Sequence, residues 1–134
     1  MCDIIIPMAD IPKKILLVED EPLLANLLKQ RLEKENFEVS PVHDGEEALN
    51  FLKTNKPDLI LLDIILPKIS GFELMEKLKD DPSVQSAPIV IVSNLGQESD
   101  IEKGQVLGAI GYFVKAKLSI EELVGQIKDF LSKA

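Results

Sequence analysis

Five times along the 134 residues, a short run of branched apolar residues gives way to turn residues and then to a helix-period segment. The runs are Ile15–Val18, Phe37–Val42, Leu59–Leu62, Ile89–Val92 and Ile110–Val114. Four of them are nearly continuous in apolar residues, as strands buried on both faces of a parallel sheet are. The second is more mixed and suits an edge. Strand–helix alternation within one domain predicts parallel strands with helices on both faces. Five units predict an α/β doubly wound sheet of order 2-1-3-4-5 with five helices.

The helical segments carry their own start signals. Pro22 suits a first helical turn, and Leu23, Leu24, Leu27, Leu28 and Leu32 read as one apolar face. The other four segments show capping-box spacings: Asp44 with Glu47, Ser70 with Glu73, Ser99 with Glu102, and Ser119 with Glu122. In each, a short oxygen side chain can satisfy an orphan amide while the acid three residues later reaches back. The last segment runs over Ser119–Leu131. Residues 1–12, with Pro7 and Pro12, are expected to be a loosely ordered or edge-packed lead-in, leaving 13–134 as one domain.

Composition narrows the function classes. A formal net charge of −8 supplies no basic face for displacing counterions from a duplex, so a direct nucleic-acid partner is not expected. The longest apolar runs, such as Leu59–Leu62 and Ile64–Leu66, fall far below the ~20 residues needed to cross a bilayer. Residues 1–10 lack the layout of a signal peptide. The single cysteine, Cys2, cannot staple the fold, and a reduced, cytoplasmic protein is expected.

A doubly wound sheet binds its ligand at the carboxyl ends of the strands, where the strand order reverses. The residues just past those ends are Glu19 and Asp20, Asp63, Ser93 and Lys115. Three crowded carboxylates repel one another and call for protons or a cation. An oxygen-only donor set favours magnesium or calcium, and magnesium pairs with one or two carboxylates, waters and a phosphate. Lys115 and Ser93 suit the oxygens of a phosphoryl group. The matching chemistry is phosphoryl transfer onto Asp63, already ionised and needing no general base. Glu21 reads as a first-turn acid favoured by the helix dipole. His43 reads as a solvated loop residue, and Gly71 and Gly108 as backbone-conformation positions.

In this order and spacing, the segments Ile15–Glu21 and Pro57–Asp63, then Pro67 and Gly71, Ile89–Ser93, Gly108-Ala109, Tyr112 and Lys115 resemble the receiver domain of bacterial response regulators. The likeness extends over residues 13–132. It implies a flavodoxin-like fold and a two-component signalling switch. Asp63 would be the phospho-acceptor. Glu19, Asp20, Asp63 and the backbone carbonyl of Ile65 would hold Mg2+. Ser93 and Lys115 would meet the transferred group, and Tyr112 would be the aromatic that turns inward when Ser93 moves. The donor would be a sensor histidine kinase or a histidine phosphotransfer protein. The output would pass to a protein target through the fourth helix, fifth strand and fifth helix, and a phosphorylation-linked homodimer is a further outcome of the likeness.

One departure is visible. The family usually has proline after the strand-five lysine, often through a cis bond, whereas Ala116 stands here. A cis bond before a non-proline costs about 3 kcal/mol, so a trans bond or a rearranged loop is expected. Ile65 and Leu95 stand where family members flank the path of hydrolytic water. Being apolar, they predict slow loss of the phosphoryl group. Ile101, Ile110 and Gln126 occupy positions where transcription-factor members carry charged dimer pairs, and an apolar rim there suits a protein partner.

The competing readings are a phosphorylation-independent interaction module, or the front part of a longer regulator. A flavin binder needs a hydroxyl- and glycine-rich loop where Glu19-Asp20-Glu21-Pro22 stands. An Asp-x-Asp hydrolase fails at Ile65.

Overall fold

A computed structural model describes residues 11–84 and 87–132; most of the expected lead-in, residues 1–10, lies outside the described residues. The order of elements is β1 (Lys14–Val18), α1 (Pro22–Lys34), β2 (Glu38–Val42), α2 (Gly45–Thr54), β3 (Leu59–Leu62), α3 (Gly71–Asp80), β4 (Ile89–Ser93), α4 (Glu98–Val106), β5 (Gly111–Val114), a single 3-10 turn (Lys115–Lys117) and α5 (Ile120–Ser132). The sheet has the order β2-β1-β3-β4-β5, with every pair parallel. The expected doubly wound α/β architecture is thus present, with the mixed second strand at an edge.

Strand alternation divides the core in two. Ile15, Leu17, Leu59, Leu61, Val90 and Val92 face α1 and α5, where they meet Leu28, Leu32, Leu123 and Ile127. The intervening residues Leu16, Val18, Ile60, Leu62 and Ile91 face the opposite layer, against Leu52, Leu74 and Met75. Successive side chains point to opposite faces of a strand, so one continuous apolar run fills both layers. Burying each such side chain contributes roughly 1.5–3 kcal/mol.

Three of the four expected caps form. The Glu47 amide donates to Asp44 Oδ1 at 2.9 Å, the Glu73 amide to Ser70 Oγ at 3.1 Å and the Glu122 amide to Ser119 Oγ at 3.1 Å. Only at Ser119 is the reciprocal half also made, its amide donating to Glu122 Oε1 at 3.3 Å. The fourth cap lies elsewhere than Ser99. Helix α4 starts two residues earlier, at the cap Gln97, whose amide donates to Asp100 Oδ2 at 3.2 Å. Ser99 and Glu102 lie inside the first turns, where the intrahelical ladder already begins.

Helix α1 also corrects the sequence reading. Its buried residues are Ala25, Leu28 and Leu32, whereas Leu23 is 88% exposed and Leu27 43%. At about 100° per residue, Leu23 lies roughly 200° around the helix from Ala25, so the two cannot share a face. The small Ala25 faces the sheet.

Gly108 has φ +105° and ends the α4 turn in a conformation that suits glycine, as expected. Gly71 serves a different purpose. A Cβ there would lie 2.5 Å from the Asp63 carbonyl oxygen and 2.7 Å from Ile64 Cα. Its role is close approach: it lets α3 begin directly against the loop that follows β3, with the Gly71 amide bonded to the Ile64 carbonyl at 2.8 Å.

Candidate functional site

Parallel register brings the acids together. Val18 pairs with Val42 on one side and with Leu62 on the other. Backbone pairing continues one step past the strands: the Glu19 amide donates to the Val42 carbonyl at 3.1 Å, and the Asp63 amide to the Val18 carbonyl at 3.0 Å. Glu19 and Asp63 therefore leave adjacent strands at the same level. Both are buried, while Asp20 is exposed at the mouth.

Carboxylate oxygens of Glu19, Asp20 and Asp63 lie within 4.8 Å of one another. Lys115, just past β5, reaches back over the sheet. Its Nζ lies 2.7 Å from Asp63 Oδ2, 2.8 Å from Glu19 Oε1 and 3.6 Å from Glu21 Oε1. The remaining Asp63 oxygen, Oδ1, accepts the Ile65 amide at 3.1 Å, which orients the carboxylate. Burial, reinforced by the Asp63 charge, pushes the Glu19 carboxyl above its ordinary value even though Lys115 bonds to it. Burial acts to lower the Lys115 ammonium, but its bonds to Asp63 and Glu19 outweigh this and hold it above its ordinary value.

Ser93 and Tyr112 form a second group. Ser93 is fully buried at the end of β4, and its Oγ accepts the Leu95 amide at 3.3 Å. The Tyr112 hydroxyl donates to the Leu95 carbonyl. One backbone unit thus joins the hydroxyl to the aromatic. The Tyr112 ring packs beside Gly104 of α4, where an added Cβ would come within 3.2 Å of Tyr112 Cδ2. Burial first, then the charges of Asp100 and Asp63, raise the Tyr112 phenol above its ordinary value, so the hydroxyl stays a donor.

No cis peptide bond occurs among the described residues, so Ala116 follows Lys115 through a trans bond. A single 3-10 turn then spans Lys115–Lys117. His43 is exposed, as read from the sequence.

At two residues the structure departs from or goes beyond the sequence reading, which takes Glu21 as a first-turn acid and does not single out Lys68. Glu21 is the N-cap residue of α1, yet its carboxylate makes no cap bond and turns toward Lys115. Lys68, in the loop after Asp63, adopts φ +71° and pairs with Asp44 at 3.4 Å and Glu46 at 3.3 Å. It fastens that loop to the start of α2. Neither residue carries a local signal, because both partners are distant in sequence.

The donor set suits a hard divalent cation. It is all oxygen, it is crowded, and Asp20 leaves one side open for waters and a ligand. The ends of β1, β3, β4 and β5 thus present carboxylates, a hydroxyl and an ammonium along the carboxyl edge of one doubly wound sheet. Consistent with this, the family model described as response regulator receiver domain matches residues 15–128. The chain belongs to the receiver-domain family of two-component response regulators.

Among its relatives, the phosphate regulon transcriptional regulatory protein PhoB of Rhizobium meliloti is 40% identical over 90% of this chain. The polar-differentiation response regulator DivK of Brucella anthropi is 33% identical over 92% of it. The chain spans 53% of PhoB, about half its length, and 99% of DivK. The crystal structure of the phosphorylated cyanobacterial phytochrome response regulator RcpA is similar with a TM-score of 0.77 and 34% identity, covering 92% of this chain and 96% of that one. Among the described residues, no helix is long and apolar enough to cross a membrane.

Proposed function

We propose that this chain is a phospho-acceptor switch in which residues 13–134 act as the working unit and Asp63 receives the phosphoryl group. One observation carries the reading: Asp63 shares its pocket with Glu19 and Asp20, and Lys115 bonds to it at 2.7 Å. A carboxylate oxygen of Asp63 forms the bond to phosphorus while the bond from phosphorus to the donor breaks. The electron pair of that bond leaves on the donor, and Asp63 becomes an acyl phosphate. The carboxylate attacks as an anion, so no base is needed, and catalysis consists of positioning and charge neutralisation.

Glu19, Asp20 and Asp63, with the Ile65 carbonyl, are the residues that would hold Mg2+. When bound, the metal neutralises phosphoryl charge. Lys115 offers its ammonium to the transferred group, and Ser93 offers its hydroxyl. As Ser93 turns to the phosphoryl group it releases Leu95, and with it the contact that holds Tyr112. That couples the site to the face made by α4, β5 and α5, where Ile101, Val106 and Ile110 are exposed. The donor is a sensor histidine kinase or a phosphotransfer protein, and the receiver of the signal is a protein that docks on that apolar face. The setting is cytoplasmic, where a chain with one cysteine needs no disulfide.

The test is intact-protein mass after incubation with acetyl phosphate, with and without magnesium, for the natural chain and Asp63→Ala. The expected result is one added phosphoryl group that requires magnesium and is lost in Asp63→Ala. No gain under any condition would remove Asp63 as acceptor.

A further inference from the structure

Glu21 is the member of the acidic stretch that the proposed chemistry leaves unused, and a role for it at this site rests on Asp63 being the acceptor. Glutamate is not among the short oxygen side chains that cap helices well, and at the start of α1 the Glu21 carboxylate makes no cap bond. Its backbone amide donates instead to Glu19 Oε2 at 3.2 Å. Its side chain, 62% exposed, leans inward and brings Oε1 to 3.6 Å from Lys115 Nζ. That separation is an ion pair and too long for a hydrogen bond.

An ammonium has three donors. Asp63 and Glu19 take two of them, at 2.7 and 2.8 Å, and Glu21 faces what remains. A phosphoryl group arriving on Asp63 needs Lys115 as a partner, and the exposed Glu21 carboxylate stands 3.6 Å from that same ammonium. Glu21 therefore acts against an anionic donor twice, by competing for Lys115 and by direct repulsion. The repulsion scales with donor charge, so a dianion meets about twice what a monoanion meets. A donor carried on a docked protein has a contact surface to offset this. A free small molecule has none.

We infer that Glu21 is a specificity-determining residue: its carboxylate, held on Lys115 at the mouth of the site, selects against free dianionic phosphodonors. Glu21→Gln keeps the size, the exposed position and the backbone amide that bonds to Glu19, and it removes only the charge.

The experiment compares initial phosphorylation rates of the full chain and Glu21→Gln by intact mass, with magnesium present. Acetyl phosphate serves as the dianionic donor and phosphoramidate as the less charged one. Each is run at low salt and at about 1 M, where the screening length falls to roughly 3 Å. The expected result is a rise of about three- to tenfold with acetyl phosphate at low salt, a smaller rise with phosphoramidate, and convergence at high salt. Equal rates in the two proteins would overturn the inference. So would a change of the same size for both donors that persists at high salt. A natural chain that takes up no phosphoryl group at all would instead sink the acceptor reading beneath it, and Asp63→Ala serves as the blank for that outcome.

Discussion

Lys115 Nζ lies 2.7 Å from Asp63 Oδ2, across 52 residues of chain. The same ammonium also bonds to buried Glu19, so it is the counter-charge for two carboxylates that water reaches poorly. Lys115→Met should destabilise the metal-free protein at pH 8 by about 1–3 kcal/mol, less than for a fully dry pair because Asp20 opens the site to solvent. The deficit should shrink as the pH falls toward 5. Glu19 is already raised by burial and by Asp63, and without Lys115 it takes up a proton still more readily. Urea titrations across that range check this. A deficit independent of pH would show that Lys115 acts by packing alone.

Tyr112 is the single tyrosine, and the chain has no tryptophan. Its fluorescence therefore reports one side chain, whose hydroxyl is tied to the Leu95 carbonyl. Phosphorylation with magnesium should change the emission of the natural chain and leave that of Asp63→Ala unchanged. An unchanged signal in the phosphorylated protein would exclude Tyr112 as the moving part.

Ile65 is 55% exposed and Leu95 is half-buried, one on each loop bordering the acidic pocket. Neither side chain can orient a water molecule by hydrogen bonding. The Ile65→Asn, Leu95→Glu double variant should lose its phosphoryl group roughly tenfold faster, since polar groups can now position the attacking water. The decay of the phosphorylated mass with time measures this, and equal half-lives would refute it.

Asp44 caps α2, and its carboxyl is held below its ordinary value of 3.8, first by the Glu47 amide and then, against the opposing effect of burial, by the charge of Lys68. A depressed carboxyl contributes stability that is present above the unfolded value and is lost as the pH falls through the folded one. Asp44→Asn retains a capping oxygen without the titration. The natural chain should therefore lose its advantage over Asp44→Asn below about pH 3.8, with the gap constant above pH 6. Thermal melts as a function of pH test the sign, and a gap that widens in acid would contradict it.

Two glycine-to-alanine changes should act in opposite directions. Gly125 lies in α5 with open space around the missing Cβ, so Gly125→Ala should stabilise by about 0.5–1 kcal/mol through helix propensity. At Gly71 the new methyl would meet backbone atoms of Asp63 and Ile64, and Gly71→Ala should cost roughly 1–3 kcal/mol. Denaturant midpoints distinguish the two.

Much of the architecture is legible locally, and the exceptions share a cause. The caps at Asp44, Ser70 and Ser119 are contacts three residues apart, and the sequence displays them directly. The start of α4 misleads because Ser99 and Glu102 have capping spacing while Gln97 and Asp100 make the actual box. Leu23 misleads because leucine signals burial whichever way it points, and only the packing of Ala25 against the sheet settles the rotation of α1. Gly71 looks like a conformational glycine until the loop after Asp63 is seen pressed against it.

Sequence alone is enough for the set of parts: five apolar runs long enough for strands, helices between them, and acids, a hydroxyl and an ammonium at or just past the strand ends. Periodicity and spacing are properties of neighbouring residues, so they survive in one dimension. Which of those parts meet depends on the folded chain. The pairing of β1 with both β2 and β3 sets Glu19 beside Asp63, the return of β5 beside β4 lets Lys115 reach them, and the entry of α1 turns Glu21 onto Lys115 and leaves Leu23 in solvent. These contacts join residues tens of positions apart, and their geometry depends on the packing of the whole sheet.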